Sequence, residues 1–281
     1  MDIGGVAALG AAILFGIAPI FYRFAMGSFR PLEANFVRTL LSYPICILLL
    51  FLLDINPSFN LNALPYVFIV AFTGSILGDT AFMASIKYIG ASLATAVSYT
   101  YIVFSAIMAV FIGESVRFIH VISLIMVIVG IWLCYFEVKG KISKLGLLMS
   151  ILTAFSWSLA ILASKFALLY ITPTQLMTIR NGLTLLMLLP VMVKRRYTSI
   201  FHGKDTLYLF LGALSGIVFG IQLYYLAIKC IGIALTALIS GSSPILTLAF
   251  AYILLKERFK SRQLIGISLA IMGSYIASIV H

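Results

Sequence analysis

Asp79 is the residue around which chemistry in this chain has to be built. The other seven acidic residues, Asp2, Glu33, Asp54, Glu114, Glu137, Asp205 and Glu257, lie at the ends of apolar segments or between them. Asp79 lies inside such a segment, eight residues before Lys87, which is roughly 12 Å of helix. An ionised carboxylate at that depth in lipid costs about 2.5–3.5 kcal/mol unless it faces water or a partner. Either it exchanges protons or holds a substrate ammonium, or it is paired and locks two helices together. Arg38, five residues into the preceding apolar segment, is placed to be that partner. Alternatively Arg38 snorkels to the surface or meets a substrate carboxylate.

A second polar patch is Ser240-Gly241-Ser242-Ser243-Pro244. Pro244 lacks a backbone donor and clashes with the carbonyl four residues earlier, at Ser240. A carbonyl freed at membrane depth has to be satisfied by protein or by a water-filled cavity. The patch therefore reads as cavity lining, with a kink relieved by the serine hydroxyls as the competing reading. Gln222, Tyr224 and Tyr225 offer further cavity groups, with core or lipid packing as the alternative; Trp157 is equally open.

The elements that must hold these residues follow from composition. Of 281 residues, 63% are hydrophobic and 10% are charged, against about 25% charged in an average soluble chain. So few charges cannot cover a soluble globule, and the mean hydropathy of +1.16 belongs to a protein dissolved in lipid. A soluble enzyme, a disordered chain and a secreted disulfide scaffold are excluded. The net charge of +11 sits in short runs between apolar segments, such as Lys194-Arg195-Arg196, and not in a basic stripe, so nucleic-acid binding is rejected. Cys46, Cys134 and Cys230 show no CxxC spacing, and neither a disulfide framework, a metal site nor a cofactor is expected.

Crossing about 30 Å of hydrocarbon takes about 20 apolar residues. Ten segments qualify: 3–22, 33–53, 64–86, 91–112, 118–136, 145–164, 174–193, 207–228, 232–255 and 262–280. The first lacks a basic leader region and reads as a span, not a signal peptide. The seventh is interrupted by Arg180 and stands mainly on the following repeat.

Shifted by 142 residues, the chain matches itself. Arg23 falls on Lys165, Arg38 on Arg180, Gly74 and Gly78 on Gly216 and Gly220, Lys87 on Lys229, Gly90 on Gly232 and Ser98 on Ser240. Over 74–95 against 216–237, seven of 22 positions are identical; Gly, Lys and Arg seldom align by chance at a constant offset. Beyond a one-residue insertion, Glu114 meets Glu257. Two units follow, 1–142 and 143–281. Five spans per unit is an odd number, so the second unit enters from the opposite side. The expected fold class is an all-α integral membrane protein of ten transmembrane helices in two inverted five-helix repeats. Such repeats are a usual architecture of secondary transporters, with the substrate site near the midplane.

The repeat places Ser98-Tyr99-Thr100-Tyr101-Ile102 opposite Ser240–Pro244, so Ser98, Tyr99, Tyr101, Ser240, Ser242, Ser243 and Pro244 become the preferred cavity lining. Ile102 stands where the second half has Pro244, so the first half is expected to have the less broken fourth span. Ile221 stands where the first half has Asp79. The halves share a frame and differ in polar chemistry, as expected if one asymmetric solute is bound. Gly74, Gly78, Gly216 and Gly220 form a GxxxG in each half and are expected to pack helices closely.

Certain stretches resemble a known family. ALTALISGSSPILTLAFAYILLKERF at 234–259 is similar to the signature of the EamA family of the drug/metabolite transporter superfamily. ALGAAILFGIAPIFYRFAM and SILTAFSWSLAILASKFAL, which begin the two halves, agree with it. The resemblance covers essentially the whole chain. It implies a ten-helix transporter whose central cavity is lined mainly by the third, fourth, eighth and ninth helices. It also implies small metabolites as cargo, often amino acids or related compounds moved outward.

Fourteen Lys and Arg residues fall in loops on one face and three, Arg117, Lys165 and Lys229, on the face carrying both termini. The positive-inside rule puts the fourteen in the cytoplasm and both termini outside, whereas many members of the family have both termini inside. The expected function is a multi-pass secondary transporter of the cytoplasmic membrane, whose partners are lipid, a small solute and protons through Asp79. The alternatives are a flippase for a lipid-linked headgroup, with Arg23 and Arg38 as headgroup contacts, or an integral-membrane enzyme. The enzyme is disfavoured because no HExxH, carboxylate pair or clustered His is found.

Overall fold

A computed structural model describes residues 3–54, 59–114, 117–135, 143–194 and 201–255, with single positions between 262 and 276. In chain order the helices are α1 (Ile3–Ala25), α2 (Pro31–Leu53), α3 (Leu61–Ile89), α4 (Ala91–Phe111), α5 (Phe118–Tyr135), α6 (Lys144–Ala167), α7 (Pro173–Lys194), α8 (Lys204–Ser240) and α9 (Ser243–Leu255). No strand occurs among the described residues. Seven of these helices are long and apolar enough to cross a membrane; α5 and α9 are apolar but shorter. Helix α8 turns at Gly232, whose φ of 81° only glycine adopts readily. Its two arms cover the eighth expected span and the start of the ninth. The tenth, 262–280, lies mostly outside the described residues. Leu48, Phe51, Phe111 and Leu186 point outward, each more than half exposed, an apolar belt that suits lipid and not water.

Small residues decide which helices meet. Helix α1 buries Gly4, Gly5, Ala7, Ala8, Ala11, Ala12, Gly16 and Ala18, and such a stripe lets backbones approach closely where no hydrophobic effect drives association. A methyl group added at Gly216 would sit 3.3 Å from Ala18 Cβ, at Gly220 2.8 Å from Phe15, and at Gly4 2.6 Å from Ile231. In the other pairing, a methyl at Gly74 would sit 2.8 Å from Ala160 Cβ, at Gly78 2.6 Å from Trp157, and at Gly146 2.5 Å from Ile89. The running order makes α1 antiparallel to α8 and α3 antiparallel to α6. The 142-residue shift turns each contact of one pair into a contact of the other: Gly74–Ala160 into Gly216–Ala18, Gly78–Trp157 into Gly220–Phe15, and Gly146–Ile89 into Gly4–Ile231. The first helix of each half thus packs on the third helix of the other, and exchanging the halves leaves the arrangement unchanged.

Both third helices depart from the plain α-helix expected from sequence. Residues 70–78 of α3 and 214–220 of α8 are π-helical. The Asp79 N–H reaches back five residues to Gly74 O, and the Ile221 N–H to Gly216 O. A π turn widens the helix by a residue and often marks a functional segment. Here each ends on the second glycine of its GxxxG pair, so Asp79 follows directly.

Gly78→Ala is expected to be costly. Its methyl would meet both the Trp157 ring and, at 3.0 Å, the backbone oxygen of Thr73, which cannot swing away. Thermal unfolding in detergent should show a loss of about 1–3 kcal/mol, with a change in Trp157 fluorescence. Parental stability and spectrum would show that α3 and α6 are not in tight register.

Candidate functional site

Asp79 begins the α-helical part of α3 after the π segment, which turns its carboxylate inward. Its Oδ2 lies 2.6 Å from Arg38 Nη2. Its Oδ1 accepts a hydrogen bond from Trp157 Nε1 at 2.9 Å. One carboxylate thus joins α2, α3 and, across the repeat boundary, α6. Arg38 is buried, turned inward and not snorkelled.

Asn35 orients the pair. Its Oδ1 accepts from Arg38 Nε at 3.1 Å and Nη2 at 2.9 Å. Its Nδ2 donates to Ser75 O at 2.7 Å and Thr80 Oγ1 at 2.9 Å. Tyr22 covers the guanidinium with its ring 5.1 Å away and is fixed by donating to Gly212 O at 2.8 Å. Asp79, Arg38, Asn35 and Tyr22 each have a partner in this buried network, which is the condition for it to add rigidity and not cost.

Arg180 holds the corresponding place in the second half and has different company. Its Nη1 donates to the Tyr225 hydroxyl at 3.0 Å and its Nε to Asn181 Oδ1 at 3.3 Å. Among the described residues no carboxylate lies within ion-pairing distance of it.

The two arginines and Asp79 face one central cavity of about 120 Å³. Its wall is largely aromatic: Phe15, Tyr22, Phe82, Tyr99, Tyr101, Trp157, Tyr224 and Tyr225. Helices from both halves contribute. Of the residues singled out from sequence, Asp79, Arg38, Arg180, Tyr99, Tyr101, Trp157, Tyr224, Tyr225, Gly74 and Gly216 line it. Ser98, Gln222, Ser240, Ser242, Ser243, Pro244, Gly78 and Gly220 are not in its wall. Gln222 instead donates to Thr174 Oγ1 at 2.8 Å. Ser240 lies just behind the wall, its Oγ 3.1 Å from the Tyr101 hydroxyl, so the two polar patches do meet.

The fourth and ninth spans break alike, contrary to what the missing proline implied. Helical hydrogen bonding is interrupted at Tyr99–Thr100 and at Gly241–Ser242. In both places a hydroxyl bonds the carbonyl three residues back: Thr100 Oγ1 to Val97 O at 2.7 Å and Ser242 Oγ to Ile239 O at 3.0 Å. These positions are 142 residues apart. The side-chain bond, which competes with the backbone ladder, is common to both breaks, and Pro244 stands only beside the second.

Sequence reasoning missed Asn35, Tyr22 and the role of Trp157. Asn35 carried a signal, since it lies one helical turn from Arg38 on the same face. Tyr22 and Trp157 carried none, because they reach the pair from distant parts of the chain.

At the face carrying the N-terminus, Glu114 makes a second link between the halves. It pairs with Lys165 at 3.0 Å and accepts from the backbone N–H of Ile233 at 2.9 Å and of Ala234 at 3.0 Å. Its repeat mate Glu257 lies outside the described residues.

A model of the EamA-like transporter family matches the chain twice, over residues 2–136 and 144–279. A protein of Archaeoglobus fulgidus described as an "Uncharacterized transporter" is 32% identical over 270 residues, spanning 94% of each chain. A solved crystal structure aligns over 98% of this chain and 96% of its own, with a TM-score of 0.80 at 14% identity, a likeness of fold alone.

Proposed function

The chain belongs to the EamA-like transporter family, and from that premise we propose that it is a secondary transporter. In this reading it carries a small solute through the central cavity by alternating access across the cytoplasmic membrane. The observation that carries the reading is the cavity itself, a charged and aromatic hollow walled by both halves. The antiparallel contacts that exchange under the 142-residue shift support two inverted units, 1–142 and 143–281, of five spans each. Such a pair can trade roles, opening the hollow to one side and then the other. Gly74, Gly78, Gly216 and Gly220 are the close-packed points across which the helices would move.

Asp79 gives a proton a mechanical effect. Protonation removes the charge that pairs with Arg38, and an unpaired buried guanidinium is unfavourable. Proton uptake would therefore loosen α2 from α3 in a site whose other charged group is Arg180, with Tyr22 and Trp157 alongside. Export of the solute in exchange for protons is the direction proposed.

Saturable, pH-dependent solute flux in proteoliposomes, with the cargo found by comparing metabolites of deletion and overexpressing cells, is the expected result. Protein-free liposomes that match it would end the proposal. For orientation, single cysteines at two exposed positions, Asn60→Cys and Lys204→Cys, should label from opposite faces. Lys204→Cys should label only from the cytoplasm; labelling only from outside would reverse the assignment.

A further inference from the structure

We infer that the solute taken by this cavity is a monocarboxylate with an aromatic or bulky apolar body and no ammonium group, its carboxylate bound by Arg180. The inference rests on the transport reading above and goes beyond it by naming the class of cargo.

The charged residues in the cavity wall are Arg38, Asp79 and Arg180. Asp79 and Arg38 cancel, and each oxygen of Asp79 already has a donor, Arg38 Nη2 at 2.6 Å and Trp157 Nε1 at 2.9 Å. A substrate ammonium would have to displace one of them. Among the described residues Arg180 donates to neutral acceptors, the Tyr225 hydroxyl and Asn181 Oδ1. A guanidinium stays protonated in any protein environment. The cavity therefore holds one positive charge that no described residue neutralises, and a buried charge without a counter-charge is costly.

The repeat shows what is missing. Arg38 and Arg180 occupy equivalent positions, and in the first half Asp79 pairs with the arginine. In the second half the equivalent of Asp79 is Ile221, which lines the same cavity. A carboxylate brought by the solute would supply at Arg180 the anion that the chain supplies at Arg38. The guanidinium fork matches a carboxylate's two oxygens. Elsewhere in the same wall stands Tyr224, its buried hydroxyl grouped with those of Tyr101 and Ser240. The remaining wall, including Phe15, Phe82, Tyr99 and Trp157, offers ring faces and no further charge, which suits an apolar body.

The probes are phenylacetate, its neutral isostere phenylacetamide, the cation phenethylamine and the zwitterion phenylalanine. Binding to the purified full-length protein is read by calorimetry and by thermal stabilisation. Phenylacetate should bind about tenfold or more tightly than the other three. Arg180→Gln should erase that preference, weakening phenylacetate about tenfold while leaving phenylacetamide unchanged. Should Arg180→Gln fail to fold, Arg180→Lys, which keeps the charge without the fork, should weaken phenylacetate several-fold with phenylacetamide unaffected. Equal binding of phenylacetamide or phenylalanine, no binding of phenylacetate, or an unaltered preference in the folded variants would overturn the inference. Counterflow of radiolabelled phenylacetate, measured against protein-free liposomes, separates the two claims. Charge-selective binding without counterflow supports the cargo class and defeats transport; saturable flux of another solute without that selectivity does the reverse.

Discussion

Asp79→Asn is expected to destabilise the protein by about 3–5 kcal/mol, the range for removing one partner from a buried ion pair. Arg38 is buried, with a side-chain exposure of 4%, and Asp79 is nearly so at 15%. Asparagine keeps the shape and one acceptor but leaves a full positive charge without its counter-charge. Asn35 and Tyr22 remain beside Arg38, yet neither is an anion. The informative comparison is the double variant Arg38→Met with Asp79→Asn. Removing both charges should recover most of the loss, because the penalty is that of an orphaned charge and not of a missing bond. Thermal unfolding in detergent reads both proteins. Additive losses in the double variant would show that the two residues do not act as a pair. Flux should fall in step, and its pH dependence should vanish in Asp79→Asn. A stable variant with the parental pH profile would remove Asp79 from any coupling role.

The second large effect is expected at Glu114. Its carboxylate, just after α4 in the first half, caps the arm of α8 that starts at Ile233 in the second half. Capping by a charged acceptor is favourable both as a hydrogen bond and against the positive end of the helix. Lys165 adds less, because its side chain is 31% exposed and water screens the pair. Glu114→Ala should therefore cost about 2 kcal/mol, most of it from the cap. Gly232 supplies an internal check. It holds a φ of 81°, and a methyl there would lie 2.9 Å from Glu114 Oε1. Gly232→Ala carries both the cost of a positive-φ, extended-ψ backbone that suits only glycine, about 1–3 kcal/mol, and this clash. In the Glu114→Ala background the clash is gone and only the backbone cost remains, so the two losses should add to less than their sum. Full additivity by denaturation would show that the carboxylate does not sit against Gly232.

Apolar length, charge placement and the 142-residue repeat were open to inspection because each is a property of the chain written in one dimension. A span must be long and apolar to be solvated by lipid, so its position cannot be hidden. A duplicated unit repeats its glycines and cations at a fixed spacing, so Gly74 and Gly78 announce Gly216 and Gly220. Asp79 stood out for the same reason: a carboxylate inside an apolar run conflicts with its surroundings.

The partners of Asp79 are a different kind of fact. Trp157 and Tyr22 reach the Asp79–Arg38 pair only because α3 packs antiparallel on α6 and α1 on α8. That choice of neighbours depends on how small residues fit across helices, which no spacing in a single segment encodes. The π-helical turns before Asp79 and Ile221, and the matching breaks at Thr100 and Ser242, likewise have no counterpart in apolar length or periodicity.

The chain alone therefore determined that this is a lipid-dissolved, duplicated helical protein with a charge to hide, because solvation and periodicity act along the sequence. Only the folded molecule decided that Asp79 is fully engaged and that no carboxylate among the described residues pairs with Arg180. Distances across the bundle, and not positions along the chain, govern which charges meet.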